Sequence, residues 1–223
     1  MAVLPKFSEA TAFGVLNNFL SEFHNKNGYA LPSRYEVLVY PPPMHPNPSA
    51  ARNVSIRVEA IDMPGRALNT SPDANVYGIQ PEIVDGITFA GTIGLTIQTS
   101  SDLEERVFFQ SWQELAWDRS TWNVRYYKDY VGIMEIYILD INNNRRYGVK
   151  IFNCFPKEVG PISLSYTQAT DIIKTPITME YNYWETLDIT NQPPSLLDKV
   201  LDTVITSAER NINANIPKVL SRL

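Results

Sequence analysis

Proton transfer near neutral pH falls most readily to histidine, and this chain has two, His24 and His45. His24 closes an apolar helical pattern, where a cation suits the carboxyl end of the helix dipole. His45 stands among prolines in Pro41-Pro42-Pro43-Met44-His45-Pro46-Asn47-Pro48, a run that can neither coil nor pair, so a solvated residue in an exposed loop is expected. The one cysteine, Cys154, could attack a substrate only beside a base. Inside the apolar run Ile151-Phe152-Asn153-Cys154-Phe155 it reads as a buried, inert thiol. Asp102, Glu104 and Glu105 cluster, but at a helix start the dipole accounts for them. Glu59 and Glu180 would serve a carbohydrate-active β-sandwich only if they faced each other roughly 5 to 9.5 Å apart. A Walker loop, a dinucleotide-binding glycine fingerprint, an HExxH pair and EF-hand spacing are all missing from the sequence. No catalytic, cofactor-binding or metal-ligating residue is therefore assigned, and neither an enzyme nor a cofactor is expected.

Charge narrows the binding classes. Nineteen Lys and Arg against 24 Asp and Glu give a net charge of −5, so no charge-driven hold on nucleic acid or an anionic membrane is expected. Trp122, Tyr126, Tyr127 and Tyr130 could stack single-stranded bases, but without a basic groove they read as core or interface aromatics. One cysteine excludes an intramolecular disulfide and a thiolate zinc cluster and suits a reducing compartment. The first twenty residues lack a signal-peptide pattern, and no window reaches the ~18 apolar residues of a membrane span. A soluble protein assembled in a cytoplasm is expected. On that basis Asn53-Val-Ser55 and Asn69-Thr-Ser71 are chance matches to the glycosylation triplet.

The elements that must carry any site come next. A chain of 223 residues, 44% of them hydrophobic, can bury roughly 70% of its unfolded surface, enough for one domain with extensions. Phe13, Leu16, Leu20 and Phe23 make residues 8–24 an amphipathic helix. Tyr35 to Tyr40 is strand-like, and Val54, Ile56, Val58 and Ala60 alternate with polar residues as a second strand does. Met63-Pro64-Gly65-Arg66 breaks it. Ile87 to Gln98 reads as one long strand with Ile87, Phe89, Gly91, Ile93, Leu95 and Ile97 on its dry face. Ser101 and Glu104 form a capping box for a helix whose stripe is Leu103, Val107, Phe108, Trp112 and Leu115, ending near Asp118. Strands are expected at Trp122 to Tyr127 and Gly132 to Ile141, with Asn142-Asn143-Asn144 turning into Tyr147 to Phe155. Two more half-wet strands are expected at Ile162 to Thr167 and Ile177 to Tyr183, and Ser195 caps a last amphipathic helix. The fold class is mainly β.

Met63-Pro64-Gly65-Arg66, Ile87-Thr88-Phe89, Ser101-Asp102-Leu103-Glu104-Glu105-Arg106-Val107-Phe108-Phe109-x-x-Trp112, Tyr126-Tyr127-x-x-Tyr130, Phe155-Pro156-x-x-Val159-Gly160 and Tyr181-x-Tyr183-Trp184-Glu185 follow one another in order. Over about residues 32 to 186 this series resembles the tail tube protein family of contractile-tailed bacteriophages. The resemblance implies a β-sandwich or barrel with a flanking helix, whose strands join an inner β-barrel shared by a hexamer. It implies stacked rings that form the conduit for genome ejection, located in the virion tail. The implied partners are further copies, tail sheath, and baseplate or neck proteins. Viral DNA would pass through the lumen without specific binding.

On that premise Thr88, Thr92, Thr96 and Gln98 are expected to line the lumen, as the small, uncharged wet face of the long strand. Met63, Pro64 and Arg66, with Asn142, Asn143 and Asn144, and the Pro41 to Pro48 loop are expected to reach neighbouring rings. Residues 1–31 and 187–223 lie outside the resemblance as helical extensions around the tube domain of 32–186. They leave open an alternative role as baseplate tube initiator, the first ring of the tube, or as a neck ring.

Overall fold

The computed structural model describes residues 20–21, 28–73, 77–166 and 172–189. In chain order the elements are β1 (Tyr35–Tyr40), a 3-10 turn (Pro48–Ala50), α1 (Ala51–Ile56), β2 (Val58–Ile61), β3 (Arg66–Pro72), β4 (Glu82–Phe89) and β5 (Thr92–Gln98). They continue with α2 (Glu104–Ala116), α3 (Tyr127–Tyr130), β6 (Gly132–Leu139), β7 (Arg145–Val159), β8 (Lys174–Glu180) and β9 (Tyr183–Leu187). The chain divides into two units, one of Glu36–Tyr137 with Gly148–Asp188, the other of Met1–Tyr35, Ile138–Tyr147 and Ile189–Leu223.

The larger unit is mainly β with a flanking helix. Its strands follow the order β1-β6-β7-β8-β5-β2, with β9 also beside β7, while β3 and β4 pair only with each other as a separate two-stranded arm. Alternation in β5 works as the sequence predicts: Ile93, Leu95 and Ile97 are buried, and Thr92 and Gly94 are exposed. The long β7 pairs with β9 through Phe152↔Tyr183 and with β8 from Phe155↔Glu180 onward. Between these pairings Asn153 takes a left-handed φ of 55°, and the partner chain breaks at Tyr181 and Asn182, so both bend together. A second irregularity, between Pro156 and Glu158, lets a proline sit in a paired strand, because a bulge releases the ladder locally.

Helix α2 closes the core with Glu105, Phe108, Phe109 and Trp112 on one buried side, at the helical spacing of three and four. The expected stripe is therefore rotated: Val107 is exposed and Phe109 is buried. No side-chain cap forms at Leu103, which has φ 55°. Instead the Glu105 carboxylate reaches back five residues to Ser100, where the Ser101–Glu104 capping box would span three. Its Oε2 accepts from the Ser100 amide at 2.8 Å and the Ser100 hydroxyl at 2.9 Å, and its Oε1 pairs with the Arg57 guanidinium at 3.0 Å.

Burial pushes the Glu105 carboxyl up, but the hydrogen bonds from the Ser100 amide, its own amide and the Ser100 hydroxyl, with the Arg57 charge, outweigh it. The group is held below its ordinary value of 4.5. A carboxylate with a depressed folded pKa gives stability that is present above the ordinary value and lost as pH falls through the folded one. Glu105→Gln is accordingly expected to melt lower than the parent at neutral pH, with the gap narrowing as pH drops below 4.5. Thermal melts at stepped pH check this, and a gap that widens in acid would refute it.

Several expected elements differ. Asn53 to Ile56 is helical, not extended: Ala51, Val54 and Ser55 form the buried side of α1 while Ile56 is exposed, so the period was three to four and only Val58–Ile61 is strand. The expected strand from Ile87 to Gln98 is two strands in two sheets, broken where Gly91 adopts φ 76°. Ile87 accordingly lies exposed in the arm and not on the core. Trp122 to Tyr127 is not a strand either. The Asp118 carboxylate accepts from the Ser120 amide and hydroxyl and the Thr121 amide, turning the chain, and Trp122 follows in a left-handed conformation, stacked 5.0 Å from Trp117. Ile162 to Tyr166 forms no strand, since Leu164 and Tyr166 are exposed and offer no dry face. Thr167, His24 and both terminal helices lie outside the described residues, apart from helical residues 20 and 21.

Candidate assembly surfaces

Among the described residues, the side chains weighed for chemistry are held apart or locked. His45 is buried, not solvated. Its Nδ1 accepts from the Asn47 amide at 3.1 Å, so Nε2 carries the proton and faces the Phe108 carbonyl at 3.1 Å. Its ring lies 4.4 Å from that of Phe108, which pins the proline-rich loop to α2. Pro42 is buried as well, so only part of Pro41 to Pro48 is surface. Cys154 has no exposed surface, and burial pushes its thiol up to about 12. Glu59 pairs with Lys174 at 2.6 Å and Glu180 with Lys157 at 2.8 Å. Lys174 and Glu180 are the two ends of β8, roughly 20 Å apart at ~3.3 Å per residue. Those carboxylates do not share a cleft, so this pair cannot do the work of glycoside hydrolysis. Among the described residues no group of three His, Cys, Asp or Glu is placed to hold a metal ion.

Three exposed features stand out among the described residues. The first surface is the wet side of β5 and its neighbours. Thr92, Gly94, Thr96 and Gln98 pair with Glu180, Thr178, Pro176 and Lys174 of β8. Glu158 of β7 continues the row at Thr178, and the Asp62 amide donates to the Gly94 carbonyl at 3.1 Å. The Asp62 carboxylate leans to 3.1 Å from where a Gly94 side chain would begin. One row across β5, β8 and β7 and the residue that follows β2 thus reads Asp62, Gly94, Thr178, Glu158, two carboxylates with no cation between them. A depression of about 310 Å³ opens along it, lined also by Thr96, Gly160 and Pro176. Thr88 is not on this surface, because it sits in the arm opposite Ala67.

The arm is the second surface. Every residue of β3 and β4 is exposed except Ser71, Gly86 and Phe89, which are half-buried. Yet it carries Leu68 at 58% exposure, Ile83 at 50%, Val84 at 54% and Ile87 at 58%. Leu68 and Ile87 are cross-strand partners. A two-stranded hairpin alone is marginal in water, and among the described residues these side chains have no cover. Met63 and Arg66 at its root are exposed while Pro64 between them is buried. Sequence reading missed Asp62, Glu158 and the arm ladder. Asp62 and Glu158 lie far apart in sequence and are joined only by strand order, and Ile83-Val84 with Ile87 lacks the period-2 alternation that marks a half-buried strand.

The third surface is the turn of the smaller unit. The Asp140 Oδ1 accepts from the Asn142 amide at 2.8 Å and the Asn144 amide at 2.9 Å, and Arg146 Nε donates to Oδ2 at 3.0 Å. Asn143 takes φ 62° and its Oδ1 accepts from Arg34 Nη1 at 3.1 Å. Asn142 and Asn144 stay exposed on a turn built rigid from below.

A family model described as phage tail tube protein matches residues 30–187, more than half of the chain. No curated protein matches it. Solved structures from contractile injection systems share its fold. A chain of the anti-feeding prophage baseplate aligns at 13% identity and a TM-score of 0.52, covering 73% of this chain and 97% of its own. A chain of the PVC sheath–tube complex in the extended state aligns at 12% and 0.51, covering 75% and 96%. One from the PVC sheath/tube terminator aligns at 14% and 0.51, covering 72% and 98%.

Proposed function

We propose, from the premise that this chain belongs to the phage tail tube protein family, that its copies close into hexameric rings and stack into a tube through which viral DNA leaves the capsid. The chain is a structural subunit of the tail. The observation that carries the ring is the arm: a hairpin with an apolar ladder and no cover within its own described chain is one half of a contact. The strands β1 and β2 end the sheet order among the described residues, the positions at which a neighbouring copy would lengthen the sheet. The exposed turn Asn142 to Asn144 and Met63, with the proline-rich loop, are available for stacking. Sheath subunits would meet the outer side bearing α2, and baseplate or neck proteins the tube ends.

In this reading Thr92, Thr96 and Gln98 face the bore, and Thr88 belongs with the arm. The bore also gains Asp62 and Glu158. Duplex DNA gains affinity from each Lys or Arg that displaces counterions, so a wall of threonine and carboxylate, whose Lys157 and Lys174 are already paired with Glu180 and Glu59, lets it slide. Thr92→Lys with Thr96→Lys would put about twelve cations in a ring of six. Tubes are expected to form normally, retain short duplex DNA in a salt-sensitive manner, and eject genomes poorly. Infectivity at the parental level in phage carrying both changes would remove the lumen assignment. Micrographs of the same particles separate the roles: many stacked rings per tail mean tube proper, and a single layer at the baseplate means the initiator.

A further inference from the structure

We infer that Trp184 is a positioning residue that sets the direction in which the arm leaves the sheet, and so whether a neighbouring copy can receive it; this rests on reading the arm as the contact between copies. The arm joins the sheet through Asp62 to Gly65 on one side and Ala90 to Gly91 on the other. Gly91 has φ 76°, and a side chain at Gly65, Gly86 or Gly91 would meet nothing within 4 Å. Each connection is tied to the sheet at one point, the Asp62 amide to the Gly94 carbonyl at 3.1 Å and the Tyr181 amide to the Gly91 carbonyl at 2.8 Å, but neither tie reaches the first rung of the arm.

Trp184 does what they do not. It is held in β9 opposite Ile151 of β7 and is 9% exposed, so its own place is set by the sheet. Its Nε1–H donates to the Gly65 carbonyl at 3.2 Å. The Arg66 guanidinium lies 5.3 Å over its ring, and the Phe89 ring meets it edge-on at 6.3 Å and 77°. Arg66 and Phe89 are partners in the first rung of the arm. One indole therefore grips both strands at their root by three different forces: a hydrogen bond, a cation over a π face, and an aromatic edge.

The test uses the full chain with Arg66→Gln, Arg66→Lys, Trp184→Phe and Trp184→Ala, read by amide exchange before assembly, by thermal melting, and by tube yield in negative stain. Arg66→Gln touches only an exposed residue, so melting is expected to hold, while exchange at residues 66–72 and 82–89 quickens about fivefold and tube yield falls by a similar factor. Arg66→Lys keeps a cation over the ring and is expected to restore both. Trp184→Phe keeps a ring without the N–H and should fall between parent and Trp184→Ala. If Arg66→Gln, and Trp184→Ala where circular dichroism shows it folded, exchange and assemble like the parent, the clamp is wrong. Should the parent form no tubes, the arm's role as the contact between copies fails, and exchange alone then decides whether Trp184 holds the arm.

Discussion

Trp112→Ala is expected to cost about 3–5 kcal/mol, the usual range for emptying a tryptophan site, out of a total of only ~5–15 kcal/mol for a domain. Trp112 has no exposed surface. Its ring lies parallel to Phe109 at 6.2 Å and 9°, meets Phe108 edge-on at 6.0 Å, and its Nε1–H donates to the Tyr130 carbonyl at 2.7 Å. The chain has made room for it: at Gly132 a side chain would begin 2.6 Å from the indole. Alanine would leave a void that the surrounding sheet cannot fill, and would strand the Tyr130 carbonyl. Urea unfolding measures this directly. Trp112→Phe should recover part of the loss but not the hydrogen bond. A cost below about 1 kcal/mol for alanine would mean that α2 does not seal the core as described.

The second large effect is on assembly and leaves the fold alone. Leu68→Lys with Ile87→Glu replaces a cross-strand apolar pair by an opposite-charge pair, which keeps the hairpin and removes its stickiness. Both side chains are exposed in the single copy, so melting should shift little. If a neighbour buries them, each copy loses about 1.5–3 kcal/mol per side chain. The protein concentration needed for tubes then rises by roughly two to four orders of magnitude. Sedimentation across a concentration series checks the prediction. Tubes forming at the parental concentration would show that the arm is not the contact.

Legibility followed the range of the interactions. β1, β5, the β6–β7 hairpin and α2 were readable because each buries one face over a run of neighbouring residues, the buried side of β7 passing from Val149 and Ile151 to Cys154 and Pro156, and burial writes its period into the sequence. The α1 segment was misread because Val54, Ile56, Val58 and Ala60 satisfy a two-residue period by accident. What decides it is the Ser55 hydroxyl, which donates to the Ala51 carbonyl at 2.7 Å and accepts from the Val39 amide at 3.0 Å. His45 was misplaced for the same kind of reason. Its partners Phe108 and Ser111 lie more than sixty residues away, and no local pattern announces them. The break in the long strand turns on a single glycine whose alternation remains intact on both sides. The threonines of β5 were visible as a wet face, whereas the carboxylates beside them come together only once β2, β5, β8 and β7 are ordered.

The silence of Cys154 makes the molecule a blank background for sulfur-directed labels. Its thiol is fully covered and stays protonated far above the pH at which maleimides are used. A cysteine introduced at Thr92 would therefore carry the sole reactive thiol in each copy of this chain, and one at Ile87 likewise. A dye that loses accessibility to bulky quenchers on polymerisation at the first position, and loses its contact with water at the second, would report inside and joint separately, copy by copy, in an otherwise unmodified tail.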